Sequence, residues 1–257
     1  MAAVDDPTEA FAHLVGTAGD SVPLDVALLL VAAHALPDLD VDAELRRLDD
    51  LAAGVPEATF DGLCRHLVDD LGFRGDRTTY HDPANSLLPS VLQRRRGIPL
   101  SLAVVAMELG RRRGVPVLGI GLPGHFLIRS IDDAAPLVDL FDGGAQLDRA
   151  GARGLFERLH PAAAWDDAHL EPARPTAIVA RVLANLANAY RRSGDRRGLC
   201  WALDLRLRLP GATDRERREA AIVLGAAGRY AEAAAVLEAT GAERDQISAR
   251  RLRARLN

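Results

Sequence analysis

The chain has 257 residues, 48% of them hydrophobic, with a formal net charge of −4 and only 4% aromatics. That is enough apolar material for a sizeable core and two domains, packed mainly by alanine, leucine and valine, which favours helices over an aromatic-rich sandwich. Interspersed charge of both signs excludes a dedicated nucleic-acid surface, although arginines cluster at 94–96, 111–113 and 250–254.

Met1–Glu9 is acidic and lacks the basic start of a secretory signal, and the apolar run Val26–Ala35 is too short to span a bilayer, so a cytoplasmic protein without membrane contact is expected. Cys64 and Cys200 lie far apart in helical-looking segments and read as reduced, buried thiols.

The first 15 residues are helical in pattern from Pro7, and Gly16–Val22 reads as loop. Pro23 suits the first turn of a helix running to about Ala35, which Pro37 stops. The acids Asp38, Asp40, Asp42 and Glu44 invite a calcium-loop reading, but Ala43 stands where that loop needs glycine. Asp40 as a helix cap, with Asp42 and Glu44 at the positive end of the dipole, is the simpler account. Leu45, Leu48, Leu51 and Ala52 form that helix's inner stripe. A helix over about Phe60–Leu71 carries Cys64 on its apolar side, where a thiol packs as a small hydrophobe.

Tyr80–Ser86 is turn-forming, with His81 at the surface and Asn85 and Ser86 placed to cap a short helix over Leu87–Arg95. The central helix follows. Pro99 holds Ile98 extended and fits the first helical position, Leu102, Val105, Ala106 and Leu109 face inward, Arg111–Arg113 occupy the last turn, and Gly114 stops it. Val117–Leu122, His125–Ile131 and Pro136–Phe141 then read as three antiparallel strands joined by Pro123–Gly124 and Asp132–Asp133 turns. Gly119 and Gly121 share one strand face, a pattern that marks close approach of another backbone or a ligand. Helices packed on a small antiparallel meander make the fold class α+β.

From Thr176 onward the pattern is helical. Tyr190–Asp195 is echoed 34 residues later by Leu224–Arg229, with Ala187 mapping to Ala221 and Leu203 to Leu237. A 34-residue helix–turn–helix period is the tetratricopeptide signature. Two domains are expected, 1–165 and 172–257, the second a short array that leans on the first.

The segment YHDPANSLLPSVLQRRRGIPLSLAVVAMELGRRRGVPVLGIGLPGHFLIR, followed by VDLFDGG, resembles the bacterial SirB-type proteins of the transglutaminase-like superfamily, which commonly carry a tetratricopeptide tail. The likeness covers about Val26–Gly144. It implies a papain-like core and a site in which cysteine, histidine and aspartate follow in chain order, the cysteine at the start of a buried helix where the dipole and an imidazolium would lower its pKa. His125 matches the histidine and Asp139 the aspartate, while the helix start reads Gly97–Ile98–Pro99–Leu100–Ser101. After Asp139 the family usually has proline, and further on asparagine, where this chain has Leu140 and Asp142.

Two functions are therefore weighed. One is a non-catalytic module that keeps the cleft around His125, Asp139, Asn85, Pro99 and Gly121 for a peptide or small ligand, with the repeats presenting a surface to a protein or peptide partner. The other is an amide hydrolase or acyl-transferase with Ser101 as nucleophile, His125 as base and Asp139 as orienter; a variant of it uses Cys64. A metal site built on His81, Asp82, His125 and Asp139 lacks any ligand pair at helical spacing. No cofactor and no metal are expected, and the first function is preferred.

Overall fold

Side-chain caps and prolines set most of the helix starts in the computed structural model, which describes residues 6–132 and 135–256. The Met1–Asp5 start and Asp133 of the expected turn lie outside them. Helix α1 (Pro7–Ala18) begins where the Asp6 carboxylate accepts the Thr8 and Glu9 amides, and it runs three residues into the expected loop. Helix α2 (Leu24–Ala33) is buried on nearly every side, as a helix with an apolar run all round must be. Helix α3 (Val41–Ala53) starts at Asp40, whose carboxylate accepts the Ala43 amide at 2.9 Å. The acidic run is a helix start.

Helix α4 (Phe60–Arg65) widens into a π-turn over His66–Asp70, so the single expected helix is two geometries in series. Strand β1 (Arg74–Gly75) follows, then α5 (Leu88–Arg94), β2 (Arg96–Gly97) and the central helix α6 (Pro99–Arg113). β1 and β2 pair in parallel, a contact too short to leave a sequence pattern. α6 keeps the expected bounds, with Pro99 in its first turn and Gly114 left-handed at φ 68°. Its last turn does more than complement a dipole. Arg111 and Arg112 both reach Asp25 Oδ2, at 2.8 and 2.6 Å, and both reach Glu108 Oε2, at 2.9 and 2.7 Å. Two carboxylates only 2% and 3% exposed are thereby kept in the core.

Four strands, not three, form the main sheet: β3 (Val117–Ile120), β4 (Leu127–Ser130), β5 (Leu137–Asp139) and β6 (Ala145–Leu147), antiparallel in that order. Alternation along the strands splits the sheet's two faces. Ile128 and Val138 join the core that contains α6, whereas Ile120, Leu127 and Leu137 pack with Ala152 and Phe156 of α7 (Arg149–Leu159). This is the α+β architecture.

Five helices complete the chain: α8 (Pro175–Ser193), α9 (Arg196–Arg208), α10 (Asp214–Ala226), α11 (Tyr230–Glu238) and α12 (Glu243–Arg253). Apolar residues of α8 and α9, among them Ile178, Leu183, Leu186 and Leu205, belong to the same core as α2 and α6. α10–α12 build a small core of their own around Ala221, Leu224, Ala233 and Leu237. Gly194 and Gly228, the residues 34 apart, are both left-handed, at φ 74° and 78°.

Candidate functional site

A proline–glycine turn places the histidine. His125 N–H donates to Leu122 O at 2.9 Å across Pro123–Gly124, with Gly124 at φ 73°, the positive angle that a type II turn needs at its third position. His125 therefore stands in the turn, two residues before β4, and does not open the strand as the sequence implied. Asp139 closes β5. Their side chains meet: His125 Nε2–H donates to Asp139 Oδ2 at 2.7 Å, with side chains 11% and 8% exposed.

The carboxylate is held from behind. Asp139 Oδ1 accepts the amides of Phe141 at 3.0 Å and Asp142 at 3.2 Å, so the loop after β5 folds around it. Asp142, one of the two departures from the family pattern, adds an ion pair to Arg77 at 2.7 Å. Phe141 stands edge-on to the His125 ring with centroids 6.1 Å apart, and Tyr80 stands edge-on to Phe141 at 5.8 Å. With Nε2 committed to the carboxylate, a neutral His125 ring leaves Nδ1 as its lone-pair acceptor. That nitrogen is the one available to a ligand or a proton.

Ser101 has other partners. It is 4% exposed, and its hydroxyl donates to Asn85 O at 2.6 Å while accepting the Ile98 amide at 3.1 Å. The hydroxyl thus ties the start of α6 to the 83–85 turn, and its one proton is used there. Gly97 makes room for this, since a Cβ at that position would collide with Ser101 Oγ. The geometry brings His125 to Asp139 and Ser101 to Asn85, and it does not join the two pairs by a hydrogen bond.

Asn85 is fully buried and caps nothing. Its amide donates to Thr79 O at 2.7 Å, and its Oδ1 accepts from Arg94 at 2.7 Å. The helix it was expected to cap, α5, has Leu87 at its cap position with no side chain bonded there, and Asp82 caps the 83–85 turn before it, accepting the Ala84 amide at 2.9 Å. Pro99 is buried at the first turn of α6. Gly121 lies just past β3, where a Cβ would come within 3.6 Å of Arg181 Nη1 and 3.7 Å of Phe126. The close approach that the glycines forecast is made by backbone and side chains together: the Ala173 amide donates to Gly119 O at 2.8 Å, and Gly119 leaves room for Phe126 and Met107.

Arg181 escaped the sequence reading. It reaches across from α8, and its Nη2 donates to Leu122 O at 3.0 Å and His125 O at 2.6 Å, fixing the turn that carries the histidine. Burial holds its guanidinium below the usual arginine range, with opposing influence from Tyr80. An arginine on a distant amphipathic helix gives no local signal of such a contact.

Cys64 belongs elsewhere. It lines a cleft of about 260 Å³ with Asp61, Val68, Val138 and Gly144, and Val138 points to the opposite face of β5 from Asp139. Burial, with the Asp61 carboxylate second, pushes its thiol up to about 12, so no thiolate forms near neutrality. His81 is exposed against the edge of Tyr80. Among the described residues, no group of three histidine, cysteine or acidic side chains could hold a metal ion.

A family profile described as the transglutaminase-like superfamily matches residues 33–184, more than half of the chain. This chain belongs to that superfamily. The match takes in the central helix, the whole sheet and the first part of α8 with Arg181. Among similar proteins is a UPF0162 protein of Xylella fastidiosa, 36% identical over 188 residues, a stretch covering 66% of this chain and 66% of that relative. A UPF0162 protein of Pseudomonas aeruginosa is 37% identical over 179 residues, covering 66% of this chain and 65% of the relative. Human F-box only protein 21 is 38% identical over 83 residues, which is 32% of this chain and 13% of that protein. No solved structure matches the chain. Among the described residues, no helix of this superfamily member is long and apolar enough to cross a membrane.

Proposed function

We propose that the chain is a non-catalytic, SirB-type transglutaminase-like protein that binds a peptide or small ligand at the His125–Asp139 cleft. The observation that carries this reading is the commitment of the Ser101 hydroxyl to Asn85 O, at a helix start whose first turn holds Pro99. A histidine–aspartate pair without an activated nucleophile can still orient a ligand through Nδ1, but it has nothing to form an acyl intermediate with. The alternative with Ser101 as nucleophile would need that hydroxyl hydrogen-bonded to His125.

The helical region, on this reading, is tetratricopeptide-like and presents a surface to a protein or peptide partner in the cytoplasm. The paired left-handed glycines, 34 residues apart, support the repeat. We propose the division into 1–165 and 172–257 with α8 serving both parts, since its apolar face lies in the main core and its Arg181 holds the His125 turn.

Turnover tests the proposal. The chain is incubated with a glutamine-containing peptide and a primary amine, and hydrolysed and transamidated products are read by mass spectrometry against a His125→Ala control. No His125-dependent product is expected. A product that disappears in the control would overturn the non-catalytic reading.

A further inference from the structure

We propose that the groove between α10 and α12 binds an acidic peptide segment bearing an apolar side chain, an inference that rests on reading the helical region as a partner surface. The groove encloses about 470 Å³. Its floor is apolar, formed by Ala221 and Leu237 with Leu252, and its rim carries Arg218, Arg251 and Arg255. Ile222 beside it is 73% exposed, on a helix whose Ala220, Ala221 and Leu224 turn inward. Such volume and lining lie within the range of small-ligand sites.

Charge decides the occupant. Among the described residues Asp245 is the one acidic residue in the lining, and it is already neutralised: Arg218 Nε reaches its two oxygens at 3.1 and 2.9 Å, and Thr240 Oγ1 donates to it at 2.8 Å. Arg251 pairs with no carboxylate among the described residues. Arg255 lies over the Tyr230 ring, 5.6 Å from its centroid, which fixes a guanidinium without neutralising it. Two positive charges therefore face an apolar floor. A segment with carboxylates flanking a leucine-like side chain complements both features at once. A single-stranded nucleic acid would want aromatic stacking platforms, and no aromatic ring lines the groove.

The test uses the full chain and a short fluorescent peptide of alternating glutamate and leucine, with glutamine and lysine counterparts, followed by anisotropy. The acidic peptide is expected to bind at least about tenfold more tightly than the glutamine version and to weaken as salt rises. The Arg251→Glu/Arg255→Glu double variant, chosen because both residues are exposed, should lose about tenfold or more in affinity with an unchanged thermal midpoint. Arg251→Lys should keep most of it. Equal affinity for all three peptides, or no binding of any, overturns the proposal. So does self-association of the chain that the double variant abolishes, which would make the groove an interface between copies. Binding that survives the double variant but is lost in His125→Ala also overturns the groove, while leaving the cleft reading of the preceding subsection intact.

Discussion

Replacing Ser101 by alanine separates a structural hydroxyl from a chemical one. In the structure this hydroxyl donates to Asn85 O at 2.6 Å and accepts the Ile98 amide at 3.1 Å, in surroundings that leave Ser101 4% exposed. Alanine fits the space and removes both bonds. Each buried backbone group left without a partner costs about 1–3 kcal/mol. Asn85 O keeps one long bond from the Ile98 amide at 3.5 Å, which softens the loss. The expected destabilisation is therefore about 2–3 kcal/mol. Urea unfolding followed by circular dichroism, with the slope against denaturant unchanged, measures it. A loss below about 0.5 kcal/mol, the size expected of a surface change, would refute the reasoning, because a hydroxyl poised over an imidazole can be truncated cheaply.

The buried charges of α2 and α6 give a second comparison. Burial pushes the Asp25 carboxyl up, but the Arg112 hydrogen bond and the Val26 amide outweigh it and hold it below the usual range. Glu108 goes the other way, raised by burial and by Asp25. Asp25→Asn should cost about 3 kcal/mol or more, since Arg112 is only 10% exposed and loses its closest partner; Glu108→Gln should cost clearly less, and denaturant midpoints decide the order. For the paired Asp25, whose folded value is lowered, stability present above the unfolded carboxylate pKa is lost as pH falls below it. Cys64 should resist a thiol reagent in the native chain under mildly alkaline conditions and react fully in urea, as followed by mass. Because its folded value is raised to about 12, stability is complete below the ordinary thiol pKa and declines as pH climbs from there toward the folded value. Gly97→Ala should destabilise the start of α6, because the added methyl meets Ser101 Oγ, and a thermal midpoint equal to that of the parent would contradict that contact.

Much of this was legible in the chain. Pro99 and Gly114 bound the central helix because proline and a left-handed glycine act locally, without help from the rest of the fold. The meeting of His125 with Asp139 followed from the family likeness, since two residues 14 apart on neighbouring hairpin elements carry no contact signal of their own. Short elements escaped. β1 and β2 are two residues each, β6 is three, and none is long enough to show alternation. Asn85 was read as a cap because asparagine before a helix usually is one, whereas its side chain is buried across three segments that only the tertiary fold assembles. Arg181 and the Arg111–Arg112 network failed to appear for the same reason: a long arginine on a helix looks solvent-facing until its distant acceptors are known.

The central claim is that the site holds a histidine–aspartate pair with no nucleophile to serve. Treating the native chain with a serine-directed fluorophosphonate and, separately, with iodoacetamide, then reading intact mass and peptide maps, tests it most directly. The account predicts no adduct at Ser101 and none at Cys64 until the chain is unfolded. A native adduct at either residue that His125→Ala prevents would contradict it.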